Sequence, residues 1–134
     1  MASADALRSS DLFARFDDAT LERIAQPFHD VEVPANQVLI EPRTAGAGLF
    51  LICDGTVEVE AHEIRRELGA GEIVGEISLV EGDHTRRARV VTKTPVRCLA
   101  LSRNDFDALV GAIPGFGDAV RDLAHRRLAE LEHR

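Results

Sequence analysis

The sequence predicts an α+β fold, mainly β: an antiparallel β roll or jelly-roll barrel, flanked by N-terminal helices and a C-terminal helix pair. Three observations predict it. Apolar residues alternate with period two along short segments between residues 29 and 101. The breaks between those segments, VPANQ, EPRTAGAG and CDG, are turn chemistry. Both ends of the chain instead carry apolar residues at helical spacing.

The elements follow in order. Residues 10–27, SDLFARFDDATLERIAQP, read as helical. Leu12, Phe13 and Phe16 share one face, and Leu21, Ile24 and Ala25 share another. Asp17 or Asp18 can cap the second piece, and Pro27 stops it. The period then changes to two, with Val31 and Val33, Val38 and Ile40, Phe50 and Ile52, and Val57 and Val59 as alternating pairs. His62 to Leu68 is a weaker strand. Arg86 to Thr92 and Val96 to Leu101 follow, split by Lys93-Thr94-Pro95. Short strands at this spacing suit a barrel or jelly roll. Ser102 or Asn104 caps a helix running to Val110. After Pro114 and Gly115, the residues Phe116, Val120, Leu123, Ala124, Leu128 and Leu131 form one stripe of a last helix.

Composition bounds the rest. The 134 residues are expected to form one domain. Its parts would be helices over 1–28, a β roll over 29–101 and helices over 102–134. A hydrophobic content of 45% with 29% charged residues suits a globular chain, and no apolar run reaches the length of a membrane span. The start, MASADALRSSD, lacks the basic and apolar regions of a secretory signal. Cys53 and Cys98 sit in apolar runs without metal-ligand spacing, so two buried free thiols in a reducing cytoplasm are expected. The net charge of −7 argues against a surface built to grip nucleic acid.

One stretch departs from ordinary strand chemistry: GEIVGEISLVEGDHTRRARVV, residues 71–91. The run Glu76 to Val80, between Gly75 and Glu81-Gly82, suits a single helical turn. Such a turn leaves backbone N–H groups unpaired, and a preceding glycine lets an anion come close. Arg86 begins the next strand and can reach back with a guanidinium, whose paired N–H groups match phosphate oxygens. A carboxylate at Glu76 would be repelled by that phosphate, so it should face a neutral donor such as a sugar hydroxyl. Together these fit a cyclic phosphodiester fused to a ribose.

This segment resembles the phosphate-binding cassette of cyclic nucleotide-binding domains, the family of the bacterial catabolite activator protein, the protein kinase A regulatory subunits and the cyclic nucleotide-gated channels. The resemblance is carried by Gly75-Glu76-Ile77-Ser78-Leu79, the loop Val80 to Thr85, and Arg86-Arg87-Ala88-Arg89-Val90, a cassette spanning 75–90. LFLICDGTVEVE, with its turn at Gly55, and the lead-in LGAGEIVGE resemble family elements as well. The resemblance implies ligand contacts from Val74, Gly75, Glu76, Ile77, Ser78, Arg86, Arg87 and Ala88. It also implies a last helix that closes over the base, with Leu123, Arg126 and Arg127 as its candidates for contact. Two departures stand out. Arg43 to Ala47 replaces a loop usually richer in Gly and Asp, with Gly46 kept. Arg87 stands where cGMP-selective members often carry Thr, which leans the reading towards cAMP, with cGMP as the alternative ligand.

Other readings compete with each assignment. Glu76 and Arg86 could pair with each other as a buried ion pair, although such pairs stabilise weakly. Gly75 could be a turn glycine, and Ser78 a packing residue. Arg87 and Arg89 suit the rim, and His84 suits a solvated loop. The last stripe is a core face first and a homodimer seam second. No GxSxG, HExxH or P-loop occurs, and His29, His62, His84, His125 and His133 are scattered, so the chain is not read as an enzyme and needs no metal or cofactor. Three functions remain. One is a regulatory sensor that binds a cyclic nucleotide and acts on an effector domain or partner protein. Another is the sensing part of a Crp-type transcription factor, without nucleic-acid binding of its own because the chain stops at Arg134. The third is a degenerate module kept for protein contacts.

Overall fold

The computed structural model describes residues 4–40, 48–61, 64–75 and 89–132. A short helix α1 (Ala4–Leu7) and a 3-10 turn (Asp11–Phe13) precede α2 (Asp18–Ala25). Eight strands follow: β1 (His29–Val33), β2 (Val38–Ile40), β3 (Gly48–Asp54), β4 (Val57–Ala61), β5 (Ile64–Leu68), β6 (Ile73–Val74), β7 (Arg89–Thr92) and β8 (Val96–Ser102). Helices α3 (Arg103–Ala112) and α4 (Phe116–Glu132) complete the described chain.

The strands form two antiparallel four-stranded sheets, β1-β8-β3-β6 and β2-β7-β4-β5. This is the expected α+β roll; among the described residues the sheets stay separate and do not close into a barrel. Three layers result. Leu49 and Leu51 of β3, Ile73 of β6, and Leu99 and Leu101 of β8 pack against the helices. Their neighbours Ile52, Val74, Val96 and Cys98 face the second sheet, where they meet Ile40, Val57 and Val90. The first sheet is therefore buried on both faces. That is why β3 reads as the near-continuous apolar run GLFLIC while β4 alternates as VEVEA.

The ends obey local chemistry. Asp17 caps α2, its carboxylate accepting from Thr20 N at 2.8 Å. Ser102 caps α3, its hydroxyl oxygen accepting from Asp105 N at 3.1 Å. Residues 10–27 are not one helical run: Ser10 caps the 3-10 turn, and the chain re-enters helix only at Asp18. The stripe of α4 is buried at Phe116, Val120 and Ala124, with Ala119 beside it. The side chains of Leu128 and Leu131 lie outside the described residues. Phe13 and Phe28 meet edge to face at 6.4 Å, and Phe106 and Phe116 meet at 5.7 Å. These rings join the 3-10 turn to the segment between α2 and β1, and α3 to α4.

Two readings change, one on a strand and one on a thiol. Val38 and Ile40 do not share a face, because the β2–β7 register shifts between them; Val38 is 41% exposed and Ile40 is buried. Only Ile64–Leu68 and Arg89–Thr92 of the expected strands 62–68 and 86–92 are described, and both are strands. Cys98 is buried, but Cys53 is only half-buried, and the two lie on opposite faces of the first sheet. Burial pushes the Cys98 thiol up to about 11. On the outer edge Arg97 holds Asp30 through Nη2 at 2.7 Å and Nε at 3.1 Å, and these bonds hold the Asp30 carboxyl below its ordinary range.

Candidate functional site

Of the eight residues expected to touch ligand, Val74 and Gly75 are described. Glu76, Ile77, Ser78, Arg86, Arg87 and Ala88 lie outside the described residues, as does the loop around Gly46. What the structure gives is the frame on either side of the cassette.

The approach to the cassette is closely held. Gly71 N donates to Ile52 O at 2.8 Å, Ile52 N donates to Glu72 O at 2.9 Å, and Glu72 N donates to Gly69 O at 3.1 Å. These bonds fasten the 69–72 turn to β3. Its other side meets the N-terminal segment: a Cβ on Gly71 would stand 2.4 Å from Ser9 O. β6 then pairs with β3, Val74 opposite Phe50 and Ile73 opposite Leu51. Ile73 enters the helix-side core and Val74 the roll interior. Gly75 closes the strand at φ 95°, a left-handed conformation that side chains disfavour. The strand β6 was not anticipated; two residues leave no periodicity to read.

The exit is held as well. Arg89 starts β7 beside Glu60, and Val90 turns into the roll opposite Val59. Thr92 is fully buried. Its hydroxyl donates to Pro34 O at 2.6 Å and accepts from Gln37 N at 2.9 Å. The backbone adds Asn36 N to Thr92 O at 2.7 Å and Thr92 N to Gln37 O at 2.9 Å. The turn 34–37 thus clamps β7, and Asn36 takes φ 63° to make it. The two anchors, β6 and β7, therefore lie in different sheets. Between these anchors the interior offers apolar surface from Phe50, Val59 and Leu68, each only half-buried.

Beside this frame lies a cleft of about 320 Å³. Ser9 and Asp11 of the N-terminal segment, Arg66 of β5, Glu72 of the lead-in turn, and Leu123 and Arg126 of α4 are among its walls. It brings two of the three candidate lid residues, Leu123 and Arg126, to the same place as the lead-in; the side chain of Arg127 is outside the described residues. Among the described residues no group of three or more His, Cys, Asp or Glu could hold a metal ion. No described helix is long and apolar enough to cross a membrane.

The sequence profile of the cyclic nucleotide-binding domain matches residues 30–112, more than half of the chain. The chain belongs to the cyclic nucleotide-binding domain family. Relatives of this domain are parts of larger proteins. A cyclic nucleotide-gated potassium channel of Rhizobium etli is 34% identical over 116 residues, which cover 87% of this chain and 32% of the channel. A cGMP-dependent protein kinase of Drosophila melanogaster is 32% identical, over 96% of this chain and 18% of the kinase. The chain thus spans a third or less of the length of these curated relatives. The fold recurs in a solved structure, a protein of Geobacter metallireducens assigned to cyclic nucleotide binding. It has a TM-score of 0.82 and 20% identity, and the match covers 99% of this chain and 100% of that one. In this cyclic nucleotide-binding domain, the matched span includes both anchors of the cassette, Gly75 and β7.

Proposed function

We propose that this chain is a regulatory module that binds a 3′,5′-cyclic nucleotide, cAMP ahead of cGMP, and relays occupancy through its C-terminal helices. The observation that carries the reading is Gly75. It ends β6 at a positive φ, two residues beyond a turn fastened to β3, immediately before Glu76. A glycine so held lets an anion approach backbone N–H groups that a side chain would screen.

On this reading Arg86 supplies the phosphate with a two-pronged guanidinium, and the N–H groups of Ile77, Ser78, Arg87 and Ala88 complete the cradle. Glu76 accepts from the ribose 2′-hydroxyl. Val74 and the half-buried interior side chains pack the sugar and base. The last helix closes the site from the side of Leu123 and Arg126. Binding can move that helix only by the difference in affinity between its two positions. The preference for cAMP rests on Arg87, which replaces the Thr hydroxyl of many cGMP-selective members; the cGMP-dependent kinase among the relatives makes cGMP the competitor to test. We place the module, as a single domain over 1–134, in the cytoplasm, a compartment that suits its two free thiols. Its output is an effector domain or partner protein, and it leaves the nucleotide unhydrolysed.

Titration calorimetry with both nucleotides tests this. Heat of binding with cAMP tighter than cGMP, and cAMP recovered intact after incubation, is expected. No heat with either nucleotide at millimolar levels would leave only a degenerate interaction module, and recovery of AMP would make the chain an enzyme.

A further inference from the structure

One stripe of α3 breaks the rules that the other helices keep. Arg103, Asp107 and Val110 are spaced i, i+4 and i+7, so they share one side of the helix, beside the buried side formed by Phe106 and Leu109. Arg103 opens the helix, where a cation meets the positive end of the helix dipole. Its guanidinium is half-buried, and Nη1 is shielded from water without a hydrogen-bond partner. A buried donor left unpaired is destabilising. Asp107, one turn on, is exposed, and among the described residues no ion pair joins the two.

Beyond Asp107 the helix turns apolar. Val110 is 43% exposed, one of two large hydrophobic side chains that lie open among the described residues. Ala108, Gly111 and Ala112 are exposed as well, and no charge occurs between Asp107 and Asp118. The stripe of α4 is different, because Phe116, Val120 and Ala124 are already buried within the chain. α3 therefore presents an open side with a cation, an anion and an apolar contact in line.

We propose that this stripe is a homodimer seam, with α3 packed against α3 of a second copy across a twofold axis. The stripe is its own complement. With the axis perpendicular to the helices they run antiparallel, Arg103 of each copy faces Asp107 of the other, and both pairs form at once. Each pair gives the guanidinium a carboxylate and offsets the cation at the helix start. In turning outward to that carboxylate, Arg103 also leaves the place where Nη1 is unpaired. Val110 and the small side chains beside it supply the apolar contact. A partner of one charge sign would engage half of the stripe; a second copy engages all of it. A face one helix wide is at the small end of interface sizes, and the charge of −7 on each copy opposes association, so the dimer is weak and reversible.

Sedimentation velocity of the nucleotide-free chain, from about 10 µM to about 1 mM, tests the seam in the range of a weak interface. The native chain should shift from monomer to dimer as concentration rises. Arg103→Asp and Asp107→Arg each bring like charges together twice per dimer, so each should weaken association by roughly 10- to 100-fold. The double variant exchanges the signs and recreates both pairs, so it should return to within about threefold of the native dimer constant. Val110→Ser should weaken the dimer without touching either charge. A urea midpoint for every variant confirms that it folds. A native chain that stays monomeric throughout, single variants that dimerise like the native chain, or a double variant no better than the single ones would each overturn the seam.

Discussion

Gly71 carries a prediction that needs no ligand. Its φ is +89°, and a Cβ added there would stand 2.4 Å from Ser9 O. No flexible side chain can give way, because the obstacle is backbone. The turn cannot retreat cheaply either, since Gly71 N to Ile52 O and Ile52 N to Glu72 O hold it to β3. Gly71→Ala therefore meets two costs. The left-handed backbone costs a residue with a Cβ about 1–2 kcal/mol. Relieving the clash weakens a backbone hydrogen bond of the turn, about 0.5–1.5 kcal/mol more. A loss of about 1.5–3.5 kcal/mol follows, and nucleotide affinity should fall with it, because β6 and Gly75 follow directly from this turn. Gly111→Ala is the control. It lies inside α3, and its added Cβ meets nothing within 4 Å, so it should gain up to about 1 kcal/mol of helix propensity. Urea unfolding at an unchanged slope reads both. If Gly71→Ala unfolds at the native midpoint, or Gly111→Ala is the more damaging of the two, the account of the Ser9–Gly71 approach is wrong.

Other predictions concern the cassette, its exit and the thiols. Arg86→Ala should cost about 2–5 kcal/mol of cyclic nucleotide affinity by leaving a desolvated phosphate unpaired. Arg89→Ala should cost little, because an exposed rim charge is mostly screened; calorimetry showing the reverse order would move the phosphate contact to Arg89. Thr92→Val keeps the shape of a fully buried side chain but strands Gln37 N and Pro34 O, so the urea-derived stability should drop by about 1–3 kcal/mol. A valine variant as stable as the native chain would show that water replaces both bonds. Cys98, buried with its thiol pushed up to about 11, should resist a thiol reagent at neutral pH under native conditions, while half-buried Cys53 reacts first. Burial raises Cys53 as well, so both become fast only on unfolding; mass spectrometry of the partly labelled chain assigns the order.

What could be read from the sequence alone was whatever depends on near neighbours. The caps at Asp17 and Ser102 lie within three residues of the N–H groups they serve, so a short window contains the whole interaction. The alternation of β4 and the stripe of α4 are likewise local, since one face of each meets apolar surface. The family was legible because glycine, carboxylate and arginine are spaced along one segment. The tertiary structure decided everything that depends on a second strand. Burial of Leu49, Leu51, Leu99 and Leu101 needs helices from both ends of the chain on the outer face of the first sheet. β6 exists because β3 offers Phe50 and Leu51 as partners; its own two residues carry no pattern. Val38 turns outward through a register shift against β7. Arg66, one of two adjacent arginines in IRREL, acquires its direction only from pairing with Val59. The period of two assigns alternate residues to opposite faces, but only the ladder says which face is the inside.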